Sequence, residues 1–254
     1  MDFQDKVVLI TGAAGGIGLA AARKFAAQGA KLALVDLNQE TLAQAAASLD
    51  GALLLAANVA KEDDVKYYVA KTVAAFGRID VFVNNAGING DFKNIEDQTI
   101  ENYRKVLDIN VIGVAMGLKY VVAQMKAQGG GAIVNTASNG GLLGAPGMSA
   151  YVASKHAVIG INKSVALEVA ANGIRVNAVC PSGVDTQMMR SIETNAMAGH
   201  EEEARKRFEA AVPLGRYAEA DEIAELMLFL ASEKASFITG AYYRIDGGGG
   251  AVSV

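Results

Sequence analysis

The chain has 254 residues, of which 52% are apolar and 20% charged, with a formal net charge of -4. That apolar share excludes a disordered chain, and the acidic balance offers no net field that would draw nucleic acid. A chain this long buries a substantial core without metals or crosslinks, and Cys180, its only cysteine, can form no intrachain disulfide and reads as a small buried residue.

Met1-Asp2-Phe3-Gln4-Asp5 carries neither a basic stretch nor a following signal-like apolar run, so no signal peptide is expected. No uncharged apolar stretch reaches bilayer-spanning length. A cytoplasmic protein with no membrane partner is therefore the expectation. Strands are predicted at Val7–Thr11, Lys31–Val35, Ala52–Ala56, Val81–Asn84, Ala132–Thr136, Arg175–Val179 and Tyr242–Ile245. Most are near-continuous apolar runs, the pattern of parallel strands covered on both faces. Helical periodicity fills the gaps at 16–28, 39–48, 62–76, 100–127, 150–171 and 219–231. Such alternation predicts an α/β domain with one doubly wound parallel sheet of seven strands and helices on both faces. Residues 183–212 break the rhythm, a stretch too long for an ordinary connection. Met188, Met189, Ile192, Met197 and Phe208 make a helical substrate lid the expectation there, with a disordered or inert insertion as the alternative.

The first strand runs into Thr11-Gly12-Ala13-Ala14-Gly15-Gly16-Ile17-Gly18, and a helix follows. Gly12 permits a sharp turn, while Gly16 and Gly18 permit close approach of backbone to a pyrophosphate and of helix to strand. The helix N-terminus adds unpaired N–H groups and the positive end of a dipole. Asp36 ends the second strand, 18 residues beyond Gly18, where a carboxylate can accept hydrogen bonds from both hydroxyls of an adenosine ribose. It would repel a 2′-phosphate by about 1–4 kcal/mol at roughly 4 Å. Further along, Tyr151 and Lys155 stand four residues apart on a predicted helix, hence on one face. A tyrosine with a pKa near 10 becomes a useful general base only if that value falls by about two or three. A neighbouring ammonium favours such a fall. Ser138 follows the fifth strand directly, where open α/β sheets place ligands, and its hydroxyl can support a substrate oxygen as charge develops.

The spacing Thr11-Gly12-x-x-x-Gly16-Ile17-Gly18, then Asn84-Asn85-Ala86-Gly87, Asn110, Ser138 and Tyr151-Val152-Ala153-Ser154-Lys155, resembles the short-chain dehydrogenase/reductase family over nearly the whole chain. The resemblance implies a Rossmann fold, hydride transfer between NAD(H) and a secondary alcohol or ketone, and catalysis by Ser138, Tyr151 and Lys155. It further implies that the backbone carbonyl of Asn110 holds a proton-relaying water, and that Lys155 also binds the nicotinamide ribose. It places Gly12, Gly15, Gly16, Ile17 and Gly18 at the pyrophosphate, Asp36 and Leu37 at the adenosine ribose, Asn58 and Val59 at the adenine, and Asn85, Ala86 and Gly87 at the cofactor ribose. Asn84 reads instead as a brace within the sheet. Members that prefer NADP usually carry a basic residue at one of the positions held here by Gly15, Leu37 and Asn38, none of them basic. After the sixth strand, Pro181, Val184 and Thr186 are implied to address the carboxamide and phosphates, although Ser182 replaces the family's usual glycine. The positive ring of the oxidised cofactor would add to the pull on Tyr151.

Leu142, Leu143, Pro146, Met148 and the methionines after residue 183 suggest an apolar pocket suited to an alicyclic substrate. The competing readings are a 3-oxoacyl-carrier-protein reductase, against which Asp36 speaks, and a non-catalytic NAD sensor, against which the intact Ser138, Tyr151 and Lys155 speak. His156 and His200, the only histidines, form no zinc spacing, and G-x-S-x-G is absent. The resemblance also implies a homotetramer, with the helices at 100–127 and 150–171 and the C-terminal strand at its interfaces. The tail from Asp246 to Gly250 reads either as flexible or as a turn packed against a neighbour.

Overall fold

A computed structural model describes residues 2–251. Seven strands form one sheet: β1 (Val7–Thr11), β2 (Lys31–Asp36), β3 (Leu53–Ala56), β4 (Val81–Asn84), β5 (Gly131–Thr136), β6 (Ile174–Pro181) and β7 (Tyr242–Ile245). Their spatial order is β3-β2-β1-β4-β5-β6-β7, and every pairing is parallel. The helices are α1 (Gly16–Ala27), α2 (Gln39–Ala45), α3 (Glu62–Phe76), α4 (Ile100–Leu107), α5 (Gly113–Gln128), α6 (Ser149–Val169), α7 (Gln187–Ala196), α8 (Glu201–Ala210) and α9 (Ala220–Ala231).

The apolar strands are divided by the pleat between two cores. Val8 and Ile10 of β1 join Phe25 of α1 and Ile223 and Met227 of α9 on one face. Leu9, between them, joins Tyr68 of α3, Leu118 of α5 and Val158 of α6 on the other. Successive strand residues point to opposite faces, so a strand covered on both sides must be apolar at every position. Each such side chain contributes about 1.5–3 kcal/mol by leaving water. Cys180 is buried in the second core, where burial pushes its thiol up to about 11, the setting of an inert thiol.

One expectation is corrected. The single helix at 100–127 is interrupted by a π-helical turn at Asp108–Ile112. Asn110, fully buried within it, binds both backbone groups of Ile88 at 2.8 Å and donates to the Ser154 hydroxyl at 3.0 Å. Periodicity registers apolar faces and cannot detect one extra residue in a helical turn. The continuous run Ile100–Gln128 is also apolar and long enough to cross a membrane by length and composition. In the fold, its Val106, Val114, Leu118, Val121 and Met125 are buried, as in a core helix.

Residues 183–212 hold α7 and α8, and Val184 pairs with Ala218 in a single parallel bridge. The tail turns back on its own chain: Asp246 accepts hydrogen bonds from the Gly248 and Gly250 amides at 3.1 and 2.8 Å and from Asn139 at 3.0 Å.

Candidate active site

The order of the strands reverses direction between β1 and β4, leaving a crevice at their C-terminal ends. There a cavity of about 720 Å³ is bordered by residues at or just beyond the ends of β1 to β6. Gly12 begins its floor at φ +65°, a conformation that favours glycine. Gly15 caps α1 and offers no side chain, so the first amides of the helix remain available to an anion. Gly15, Gly16 and Ile17 line the cavity. Gly18 does not: a Cβ there would stand 2.2 Å from the Gly12 carbonyl oxygen, so its role is to let α1 pack on the turn.

Asp36 accepts hydrogen bonds from the Ala14 amide at 2.9 Å and the Leu37 amide at 2.7 Å, and so shapes the glycine turn as well as bordering the cavity. Leu37, 69% exposed, is a rim residue. Asn58 and Val59 form the next part of the wall, with Asp64 accepting from the Asn58 amide at 2.8 Å. Asn85, Ala86 and Gly87 close the floor, tied to β1 because Thr11 Oγ1 accepts from the Asn85 and Ala86 amides at 3.0 and 3.1 Å. Asn84 donates instead to the Val114 carbonyl and to Asn135, bracing β4 against α5 and β5 as expected. A helix start without a side-chain cap, a glycine floor and the Asp36 carboxylate at the cavity border fit a nicotinamide dinucleotide.

Ser138, Tyr151 and Lys155 meet on the opposite wall. Ser138 Oγ accepts from the Gly140 amide at 3.0 Å and donates to the Pro181 carbonyl at 3.4 Å, a long bond that leaves the hydroxyl free to turn. Lys155 is 4% exposed, donates to the Thr136 carbonyl at 2.8 Å and lies 5.6 Å from the centre of the Tyr151 ring. Burial pushes the Tyr151 phenol up, with the Ser138 hydroxyl acting in the opposite sense. Burial pushes the Lys155 ammonium down to about 8. The expected lowering of Tyr151 by its lysine neighbour is thus absent from the protein alone, because burial penalises the charged form of both groups. Asn110 stands behind this wall, its Oδ1 3.2 Å from where a Cβ on Gly87 would lie.

Pro181, Val184 and Thr186 border the cavity, and the Thr186 methyl packs so closely on Gly16 that a Cβ there would lie 2.5 Å from it. Ser182 lines the same wall. Of the apolar residues expected in the pocket, Met148, Met188, Met189, Ile192 and Phe208 border it. Leu142 packs into the core, Leu143 and Pro146 face outward, and Met197 of the segment after β6 does not border the cavity, so these four are corrected. Two residues escaped sequence reading. Thr136, which holds Lys155, carried a usable signal at a strand end two residues before Ser138. Tyr217, which lines the cavity from a segment outside every motif, carried none.

A family model described as enoyl-(acyl carrier protein) reductase matches residues 12–249. Levodione reductase of Leifsonia aquatica is 42% identical, over 97% of this chain and 94% of its own. A crystal structure of levodione reductase matches with a TM-score of 0.97 at 41% identity, covering 99% of this chain and 100% of that one. Cyclohexanol dehydrogenase of Acinetobacter sp. (strain SE19) is 40% identical, over 96% of this chain and 95% of its own. An NAD+-bound xylitol dehydrogenase structure has a TM-score of 0.93 and 36% identity, over 98% of this chain and 100% of that one. The chain belongs to the short-chain dehydrogenase/reductase family, oxidoreductases of alcohols and ketones, with the Rossmann fold described above.

Proposed function

We propose that this protein transfers hydride between NAD(H) and a neutral secondary alcohol or ketone of largely apolar, alicyclic type. The observation that carries the reading is the convergence of Ser138, Tyr151 and Lys155 on one wall of a cavity whose floor is the glycine turn. Gly12, Gly15, Gly16, Ile17 and the supporting Gly18 would receive the pyrophosphate. Asp36 and Leu37 would hold the adenosine ribose, Asn58 and Val59 the adenine, and Asn85, Ala86, Gly87 and Lys155 the second ribose. Pro181, Val184 and Thr186 would address the carboxamide and phosphates.

When bound, NAD+ supplies the hydride acceptor and a positive charge beside Tyr151. In oxidation, Tyr151 Oη takes the proton of the alcohol; in reduction it returns one. Ser138 Oγ donates to the substrate oxygen as negative charge develops. Lys155, anchored on the Thr136 carbonyl, supports the phenolate and passes protons toward a water held at Asn110. Among the described residues, the only charged ones that border the cavity are Asp36 at the adenosine end and Lys155 at the reacting end, which favours a substrate without a carboxylate or phosphate. Similarity to cyclohexanol dehydrogenase and levodione reductase supports the same substrate class.

The reading includes a cytoplasmic homotetramer. It is supported by the open edge of β7 and by exposed Leu167, Phe237 and Tyr242. Turnover of NAD+ with a panel of neutral secondary alcohols, alongside Tyr151→Phe, tests the activity. Cofactor binding with no turnover on any member would overturn it in favour of a sensor.

A further inference from the structure

Tyr217 sits where three parts of the structure meet. Its segment pairs with the loop after β6, the Ala218 amide donating to the Gly183 carbonyl at 3.0 Å and the Asp185 amide to the Ala218 carbonyl at 2.9 Å. Its ring lies against Gly183 so closely that a Cβ there would meet Cδ1 at 2.7 Å. Its hydroxyl donates to Glu193 Oε1 of α7 at 2.8 Å, joining two side chains that are only 3% and 2% exposed. The other Glu193 oxygen faces Arg190 at 3.3 Å. Arg190 and Arg205, from α7 and α8, both reach Asp185 in the loop, at 2.8 and 2.9 Å. Their guanidinium carbons stand 5.6 and 5.5 Å from the centre of the Tyr217 ring, within cation–π range. Arg205 also pairs with Glu209 at 2.8 Å, so three carboxylates and two guanidiniums gather around one aromatic ring.

We infer that Tyr217 is a positioning residue that braces α7 and α8 against the Pro181–Thr186 loop and holds the apolar substrate wall at a set distance from the reacting groups. Met188, Met189 and Ile192 of α7 border the cavity, as does Tyr217 itself. A buried carboxylate stripped of one hydrogen-bond donor is unfavourable, so loss of the phenol hydroxyl drives Glu193 toward water and takes α7 with it. The loop keeps its own backbone bonds to Ala218, and Ser138, Tyr151 and Lys155 belong to other elements. The brace consequently governs how well substrate is held, with little influence on the chemical step. This inference rests on the alcohol–ketone reading proposed above.

Tyr217→Phe removes the hydroxyl and keeps the ring against Gly183. The expected result is a rise of about tenfold in substrate KM with kcat at saturation within about twofold, the signature of lost substrate binding. Amides across 187–210 should exchange with deuterium about tenfold faster, while those of β1, β4 and β5 stay protected. Glu193→Gln, whose amide oxygen still accepts from Tyr217, should keep KM closer to that of the parent protein than Glu193→Ala does. A KM change without faster exchange, faster exchange without a KM change, or a fall in kcat alone overturns the inference. If the parent protein turns over no alcohol in the panel, the activity reading fails separately, and exchange across 187–210 decides whether the brace exists.

Discussion

Lys155 donates to the carbonyl of Thr136 across 2.8 Å, and this bond holds its ammonium beside the Tyr151 ring. The lysine comes from the second turn of α6 and the carbonyl from the end of β5, so the proposed catalytic pair is aligned by a helix-to-sheet contact.

Loss of the phenol should separate chemistry from binding. Tyr151→Phe is expected to lower kcat by at least about a hundredfold, the usual scale of a lost general acid–base. NADH binding, followed by fluorescence titration, should stay within a few-fold of the parent protein. Binding lost together with turnover would show that Tyr151 shapes the cofactor site instead.

The two reaction directions should respond to pH in opposite ways. Because burial raises Tyr151 in the free protein, the phenolate needed for alcohol oxidation is scarce at neutral pH. Oxidation measured as kcat/KM should therefore climb as pH rises to 10, whereas ketone reduction, which uses the protonated phenol, should not climb. Parallel initial-rate profiles from pH 6 to 10 test this.

Lys155 should make stability depend on pH. Its pKa is lowered to about 8 from 10.5 by burial, so between those values the unfolded chain binds more protons than the folded one. Stability then rises with pH across that window, and the burial penalty is in full force below pH 8. The lowering corresponds to about 3 kcal/mol. Lys155→Met should remove this penalty, so its advantage over the parent protein should be largest at pH 7 and shrink toward pH 10.5. Denaturant titrations of both proteins at several pH values measure it.

Cofactor choice should depend on Asp36, with a structural cost attached. Asp36→Ala should raise kcat/KM for NADP+ relative to NAD+ by roughly ten- to several-hundred-fold, the range set by removing one close charge repulsion. Absolute efficiency with NAD+ should also fall, because the Ala14 and Leu37 amides lose their acceptor. An unchanged cofactor ratio would sink the assignment.

The glycines of the turn should differ in tolerance. A Cβ at Gly18 meets the Gly12 carbonyl at 2.2 Å, and neither backbone can yield. At Gly16 it meets the Thr186 methyl at 2.5 Å, the end of a side chain that can turn away. Gly18→Ala should abolish NADH binding or folding, while Gly16→Ala should weaken binding less severely. Calorimetric titration of both variants distinguishes them.

Much of this molecule was legible from local pattern. All seven strands were identifiable, most of them because parallel strands packed on both faces must be apolar along their length, and all six expected helix starts lie within one residue of their observed positions. The glycine turn and Asp36 were legible because backbone conformation and charge constrain single residue types at short spacing. The π-helical turn around Asn110 was not, since it depends on hydrogen bonds to Ile88 and Ser154, far away in the chain. Tyr217 was equally hidden, because nothing in its segment announces that Gly183, Glu193 and two arginines converge on it. The sequence by itself determined the order of elements and the types of residue able to perform the chemistry. Only the tertiary structure decided their protonation tendencies and the setting of the pocket wall, because burial and long-range contacts exist only once distant segments have packed together.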